Sequence, residues 1–333
     1  MPRAFSATNP DTTRRFLFDV GAVSVIAFII VSLPPGDFAD AYAAAKINSG
    51  ETVTLAELDA IRDRFGLNRP LYVQYFSWVG KMFHGDFGFS WGYSRPVVEV
   101  IAERLPMTIL IAASTLVFTY ATAIPLGIYS AIRQYSFADY TFTILGYIGL
   151  ATPNFLLALL LLYFANSFFG VSVGGLFSLE YQDAAWSWAK FKDLMSHLWV
   201  PVVVLGTAGT AFQLRIMRAT LLEELNKMYV TAARATGLSE FRMIMKYPVR
   251  LALNPIVSTL GWELTTVISG APIIGLVLSL PDTGPMFINA LRSQDMFLAG
   301  AMLLIYCVLV MIGSFISDVL LMLVDPRVKM GAN

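Results

Sequence analysis

The sequence is poor in charge, cysteine and histidine. Only 14% of its 333 residues are Asp, Glu, Lys or Arg, while 56% are hydrophobic. A soluble domain has about 25% charged and about 45–50% apolar residues, so both departures predict an integral membrane protein. The 23 basic and 23 acidic residues balance, and no overall field draws nucleic acid to the chain. A single cysteine, Cys307, lies in an apolar run, which excludes an internal disulfide. The two histidines, His84 and His197, are far apart, read as ordinary loop residues and form no metal-ligand cluster with cysteine. A nucleotide-binding loop is also missing. The Gly-Lys pair at Gly80-Lys81 has Tyr75 where the motif needs glycine and Met82 where it needs Ser or Thr. No HExxH, GxSxG or paired-carboxylate arrangement stands out.

What the chain does have is long apolar runs. A bilayer core of about 30 Å needs about 20 apolar residues per helix. Six segments qualify: 16–33, 107–132, 142–169, 198–217, 253–280 and 299–324. The predicted fold class is therefore all-α integral membrane, with six transmembrane helices and a long loop after the first span. Arg14 and Arg15 precede that span, and Ala39-Asp40-Ala41 resembles a cleavage site. The exit turn Pro34-Pro35-Gly36-Asp37 favours an uncleaved anchor. Pro125 and Pro153 lie inside the second and third spans. The third is longer than a bilayer requires, which allows a tilt, a kink or an extension. A polar loop is expected over 170–197, with Trp186, Trp188 and Trp199 suited to a membrane interface.

The insertion at 34–105 is not structureless. Thr54-Leu55-Ala56-Glu57 is a capping box, followed by Leu55, Leu58, Ile61 and Phe65 at helical spacing and by Gly66 as a stop. Pro70 fits the first position of a second helix. Leu71, Tyr72, Tyr75, Phe76, Val79, Met82 and Phe83 give that helix a broad aromatic face, fit either for the membrane interface or for the core of a small subdomain.

Basic residues in short loops and flanks set the orientation. Arg3, Arg14, Arg15, Arg133, Arg215, Arg218, Lys227, Arg234, Arg242, Lys246, Arg250, Arg327 and Lys329 all fall on one side of this arrangement. Both termini and the stretch Tyr229–Pro255 are thus expected in the cytoplasm. The linear division is 1–33 for the N-terminus and first anchor, 34–105 for an external insertion, 104–324 for the main spans with a cytoplasmic loop at 218–252, and 325–333 for a cytoplasmic tail. Intramembrane carboxylates are few. Asp19 and Asp318 lie near span ends, whereas Glu263, beside Trp262, sits deeper. Glu263 can line a solute path or pair with a neighbour.

The stretch Tyr229–Pro255 organises the rest. Gly237 followed by Ser239 is a helix stop beside a helix start, which predicts two short helices bent over a glycine. Such a bend suits a docking surface. Spans interrupted by proline and glycine suit a moving permeation unit. Without a regular series of intramembrane acids or histidines to couple an ion, the energy is expected to enter from another subunit.

Together these residues resemble the membrane subunits of binding-protein-dependent ABC importers, in the dipeptide/oligopeptide/nickel branch. Thr231-Ala232-Ala233-Arg234-Ala235-Thr236-Gly237 resembles that family's EAA loop, with Thr231 where the family has Glu. Asn254-Pro255 stands at its terminal apolar-Pro element. Pro35-Gly36-Asp37, 65–71 (FGLNRPL), Gly85-Asp86-Phe87-Gly88, Glu103-Arg104-Leu105-Pro106, Pro125-Leu126-Gly127, Thr152-Pro153-Asn154-Phe155 and Asp325-Pro326-Arg327 extend the likeness over nearly the whole chain.

The resemblance implies a type I importer permease fold in the inner (cytoplasmic) membrane. It implies coupling to a cytoplasmic ATPase through Tyr229, Val230, Thr231, Ala232, Ala233, Arg234 and Gly237. Tyr229, Val230, Ala232 and Ala233 are expected to bury against that ATPase, with Arg234 at the rim. The implied partners are a second homologous permease subunit or a second copy, two ATPase subunits, an external solute-binding protein and membrane lipid, but no nucleic acid. ATP and Mg would belong to the ATPase, with no cofactor or metal on this chain and no catalysis by it. The solute is expected to be a peptide or a related molecule, oligosaccharides included. Gly275 stands where peptide-type relatives often carry Glu, and Glu263 where many have a neutral amide. Glu263 and Trp262 are the candidate translocation-path residues. One alternative is a stand-alone ion-coupled secondary transporter using Glu263; another is a membrane-anchored receptor whose outer loop binds a ligand.

Overall fold

The computed structural model describes residues 21–22, 24–26, 28–29, 32, 38–48, 52–90, 92–169 and 174–324. Most of the first predicted span lies outside the described residues, as do Asp19, the exit turn at 34–37 and the tail at 325–333. The described chain is helical apart from one short ribbon. In order it forms α1 (Phe38–Asn48), α2 (Leu55–Phe65), α3 (Leu71–Phe83), β1 (Phe89–Ser90), β2 (Arg95–Pro96), α4 (Val97–Ile132), α5 (Phe137–Ala151), α6 (Asn154–Phe169), α7 (Trp188–Leu225), α8 (Met228–Ala235), α9 (Glu240–Lys246), α10 (Pro248–Ser258), α11 (Leu260–Leu278), α12 (Thr283–Arg292) and α13 (Met296–Val324). Two compact units are discontinuous in sequence. Among the described residues, one takes 109–281 and 310–324, the other those up to 108 together with Asp282–Leu309.

Among the described residues, three helices, Val97–Ile132, Trp188–Leu225 and Met296–Leu323, are each long and apolar enough to cross a membrane; counting each of three bent pairs as one span brings the number to six. The predicted spans at 107–132, 198–217 and 299–324 fall on α4, α7 and α13. The third run is not one straight helix. Phe137–Ala151 and Asn154–Phe168 are bent by 106°. Pro153 has no N–H to continue the ladder, and its ring drives the preceding Thr152 to extended backbone (φ −85°, ψ 120°). The fifth run is also divided: Glu240–Ser258 and Leu260–Ile268 meet at 40° around Thr259.

In the first unit α7 is the shared wall, packing on α5, α6, α10 and α11. It is longer than expected because Ser187 caps it, its Oγ accepting from Lys190 N at 3.2 Å. His197 therefore belongs to this helix and is buried, against the expectation of a loop residue; its Nδ1 lies 2.8 Å from the Asp193 carbonyl. Trp188 opens the same helix rather than a polar loop. Arg218 on α7 grips Asp139 on α5 through two donors, Nε to Oδ1 at 2.8 Å and Nη2 to Oδ2 at 2.9 Å. Tyr135 N adds a third bond to this carboxylate at 3.0 Å.

In the second unit Val97, Val100, Ile101, Met286, Leu298 and Met302 form the core. Thr54 Oγ1 accepts from Glu57 N at 3.3 Å, and Gly66 ends α2 in the left-handed region. Pro70 sits one place earlier than expected, as the N-cap of α3. On α3, Tyr72 and Phe76 are exposed as a membrane-facing stripe requires, while Trp78, which the expected face left out, is buried. Asp295 joins the ribbon to the start of α13. Its Oδ2 accepts from Ser90 Oγ at 2.6 Å and Gly92 N at 3.2 Å, and its Oδ1 from Leu298 N at 3.2 Å.

Candidate functional site

The stretch after α7 folds as two short helices around Gly237, and a third helix follows. Helix α8 ends at Ala235, and Thr236 Oγ1 donates to the Ala233 carbonyl at 2.7 Å. Gly237 adopts φ +79° with no atom near the place of a Cβ. Glycine is required there for its backbone conformation and not for space. Ser239 is the N-cap of α9 by position, though its side chain makes no cap bond.

Helix α8 has two faces. Val230 is fully buried among Ala131 of α4, Met217 and Leu221 of α7, Met243 and Ile244 of α9, and Val249, Ala252 and Ile256 of α10; Tyr229 and Ala233 pack on the same cluster. Burying such a valine contributes about 1.5–3 kcal/mol. The inner face is thus already occupied by this chain. Thr231, Ala232, Arg234 and Ala235 are exposed, and so are Met228 at 87% and Phe241 of α9 at 72%. The expected set of burying residues therefore divides: Tyr229, Val230 and Ala233 turn inward, while Ala232 lies on the open face.

Polar contacts hold this geometry. Tyr229 OH donates to Glu224 Oε2 at 2.6 Å, and Lys227 Nζ donates to Oε1 of the same carboxylate. Burial alone would raise the Glu224 carboxyl, but these two bonds hold it below the ordinary value. Burial, then the bond to Glu224, raises the Tyr229 phenol. Arg234 Nη2 meets Glu240 Oε1 at 2.7 Å, a strap from α8 to α9 across the glycine bend.

Two stretches of the sequence match known families: residues 123–330 match "Binding-protein-dependent transport system inner membrane component", and residues 14–112 match the N-terminal part of the membrane component of such systems. The chain belongs to this family. The permease is 35% identical to a Brucella ovis protein named as a peptide permease, over 95% of this chain and 97% of that one. It is 34% identical to the oligopeptide transport system permease protein AppB of Bacillus subtilis, over 92% and 94%. It is 27% identical to the dipeptide transport system permease protein DppB of Escherichia coli, over 92% and 94%. A solved structure of inward-facing conformations of the MetNI methionine ABC transporter matches with a TM-score of 0.54 at 16% identity, covering 68% of this chain and 97% of that one. The fold is that of an ABC importer permease.

The candidate path residues of the permease do not share a face. Trp262 is 69% exposed, whereas Glu263 is 5% exposed. Glu263 Oε1 accepts from Gln213 Nε2 at 3.0 Å, so the geometry favours pairing with a neighbour over lining an open path. Its Oε2 lies 2.7 Å from where a Cβ on Gly209 would stand, so a methyl added there would push the carboxylate end aside. Asp318 is half-buried on α13. Gln213 was not anticipated, because an uncharged residue inside an apolar run carries no charge signal. Phe241 and Met228 were passed over as well, since apolar residues in a short helix read as core.

Proposed function

We propose that this permease is a membrane-spanning subunit of an ATP-driven importer for peptides or a related solute. A cytoplasmic ATPase seats on the open face of α8 and α9. The observation that carries this reading is the two-faced α8. Val230 roots the helix in the chain's own core, while Met228, Thr231, Ala232, Ala235 and the nearby Phe241 remain uncovered. A helix rooted on one side and bare on the other can pass a push from a partner into α7 and α10. The small side chains of Ala232 and Ala235 allow a close approach, and Met228 and Phe241 offer apolar anchors. Arg234 stands at the rim.

In this reading both termini and α8 are cytoplasmic, and the insertion at 34–105 faces outward. The core spans alternate between inward- and outward-open states. A second permease subunit completes the channel, two ATPases supply ATP and Mg, and an external binding protein delivers the solute. The names of the relatives support a peptide, though Gly275 and Glu263 depart from the peptide-type pattern and leave oligosaccharides as the second class to test.

The test is purification of the complex from membranes, followed by uptake in vesicles. An ATPase should copurify, and uptake should require ATP. Deleting Tyr229–Ser239, or making Gly237→Asp, should abolish uptake while the permease still inserts. Normal uptake by either variant, or uptake by the permease alone in liposomes, sinks the reading. Binding of peptide and sugar panels to the external binding protein then identifies the solute.

A further inference from the structure

The division of the fifth span at Thr259 has a specific brace. Gln213 of α7 is fully buried, and its amide nitrogen has two hydrogens to give. One bond goes to Thr259 Oγ1 at 2.8 Å, at the break between α10 and α11. The other goes to Glu263 Oε1 at 3.0 Å, one turn into α11. Thr259 Oγ1 in turn donates to the Ile256 carbonyl at 2.7 Å, on the α10 side. A single side chain therefore spans the 40° joint and ties both arms to the long helix beside it. Close approach at Gly209 brings Glu263 within reach.

The joint lies on the route a load must take. Helices α8 and α9 connect the end of α7 to the start of α10, and Val230, Met243 and Ile244 join both in one apolar cluster. A push on α8 is delivered to α7 and α10. Whether α11 follows α10 depends on the angle at Thr259. Apolar packing resists separation but sets a joint angle only loosely, because it has no direction. Two hydrogen bonds from a buried amide are directional, and breaking either leaves a polar group without a partner.

We propose that Gln213 is a positioning residue for transport: it clamps the α10–α11 joint through Thr259 and Glu263, so that movement of the docking helix reaches α11. This rests on α8 being the site where the ATPase docks. In this role Glu263 acts as a hydrogen-bond acceptor, and its charge is not required.

The test uses the purified complex with its ATPase and binding protein. Gln213→Leu keeps the volume and removes the amide. It should copurify the ATPase at the wild-type level and hydrolyse ATP within about twofold, yet solute taken up per ATP should fall about tenfold or more. Glu263→Gln retains an acceptor oxygen and should stay within about twofold of wild type. Gly209→Ala should resemble Gln213→Leu, since the added methyl displaces the Glu263 carboxylate.

A second readout is the distance between spin labels at Leu251 on α10 and Ile273 on α11, both exposed, with Cys307→Ser. One narrow distribution is expected in the nucleotide-free wild type and a broad one in Gln213→Leu. An unchanged uptake-to-hydrolysis ratio, or an unchanged distance distribution, in Gln213→Leu overturns the clamp. Should that variant not assemble, Thr259→Val removes one arm and is judged by the same two readouts. If no ATPase copurifies even with wild type, it is the docking reading that fails, and the label distances alone decide the clamp.

Discussion

Single residues decide whether α8 is presented correctly. Gly237 is left-handed, a conformation that costs other residues about 1–2 kcal/mol. Gly237→Ala should lower ATPase copurification, and Gly237→Asn, which tolerates this region better, should lower it less. Val230→Ala removes buried methyls and should destabilise the bend by about 1–3 kcal/mol, seen as faster hydrogen exchange over 228–246. The Glu224 carboxylate gives the pH dependence of the same corner. Its folded value lies below the unfolded one, so its contribution is complete above the ordinary carboxylate range and is lost as pH falls through the folded value. Lys227 is shifted upward, first by its bond to Glu224 and then by that to Glu223, and stays charged through neutral pH. Exchange protection of α8, corrected for intrinsic rates, should be flat from neutral pH down to about 5 and decline below about 4. Tyr229 and Lys227 are both shifted upward, so their contribution is lost only as pH rises above about 10; a decline between pH 7 and about 9 would contradict this assignment.

At the scale of elements, the helices are held in register by polar straps placed where apolar packing has no direction. The Arg218–Asp139 pair binds the start of α5 to α7, with the carboxylate almost fully buried. Removing one partner of such a pair strands the other charge, at about 3–5 kcal/mol. Arg218→Met should therefore lower the thermal midpoint of the permease in detergent markedly. The double change Arg218→Met with Asp139→Leu should recover most of that loss; no recovery would mean that Arg218 acts through packing alone. The bends follow similar local rules. Pro153 breaks its helix because the residue before it is forced out of the helical region, whereas Pro125 and Pro201 sit inside α4 and α7 without ending them.

For the whole molecule, the proposed energy source is a separate ATPase. The permease belongs to inner membrane components of binding-protein-dependent systems, and its described helices form an importer fold. ATP added to vesicles carrying the full complex should drive uptake, whereas a proton or sodium gradient without ATP should not. Uptake driven by a gradient alone would restore the secondary-transporter alternative. The two compact units are discontinuous in sequence, and their boundary after Thr108 falls inside α4. A cut between 105 and 106 therefore falls inside α4 and should not yield two independently folding fragments.

The sequence by itself determined what depends on neighbouring residues. Long apolar runs gave the membrane class, Thr54 and Gly66 gave the ends of α2, and Gly237 with Ser239 gave the bend between α8 and α9. The family was legible only through the resemblance of its short motifs to those of known importer permeases. Contacts between distant residues were decided by the tertiary structure. Val230 and Ala232 are two places apart in one short helix, and only packing against α4, α7, α9 and α10 turns the first inward and leaves the second bare. His197 became a core residue because α7 starts at Trp188, a cap effect ten residues away. Glu263 drew notice for its charge, but its partner Gln213 lies 50 positions earlier and carries none. Burial supplies that partnership its meaning: in water the bond would be exchanged freely, whereas between packed helices it fixes an angle.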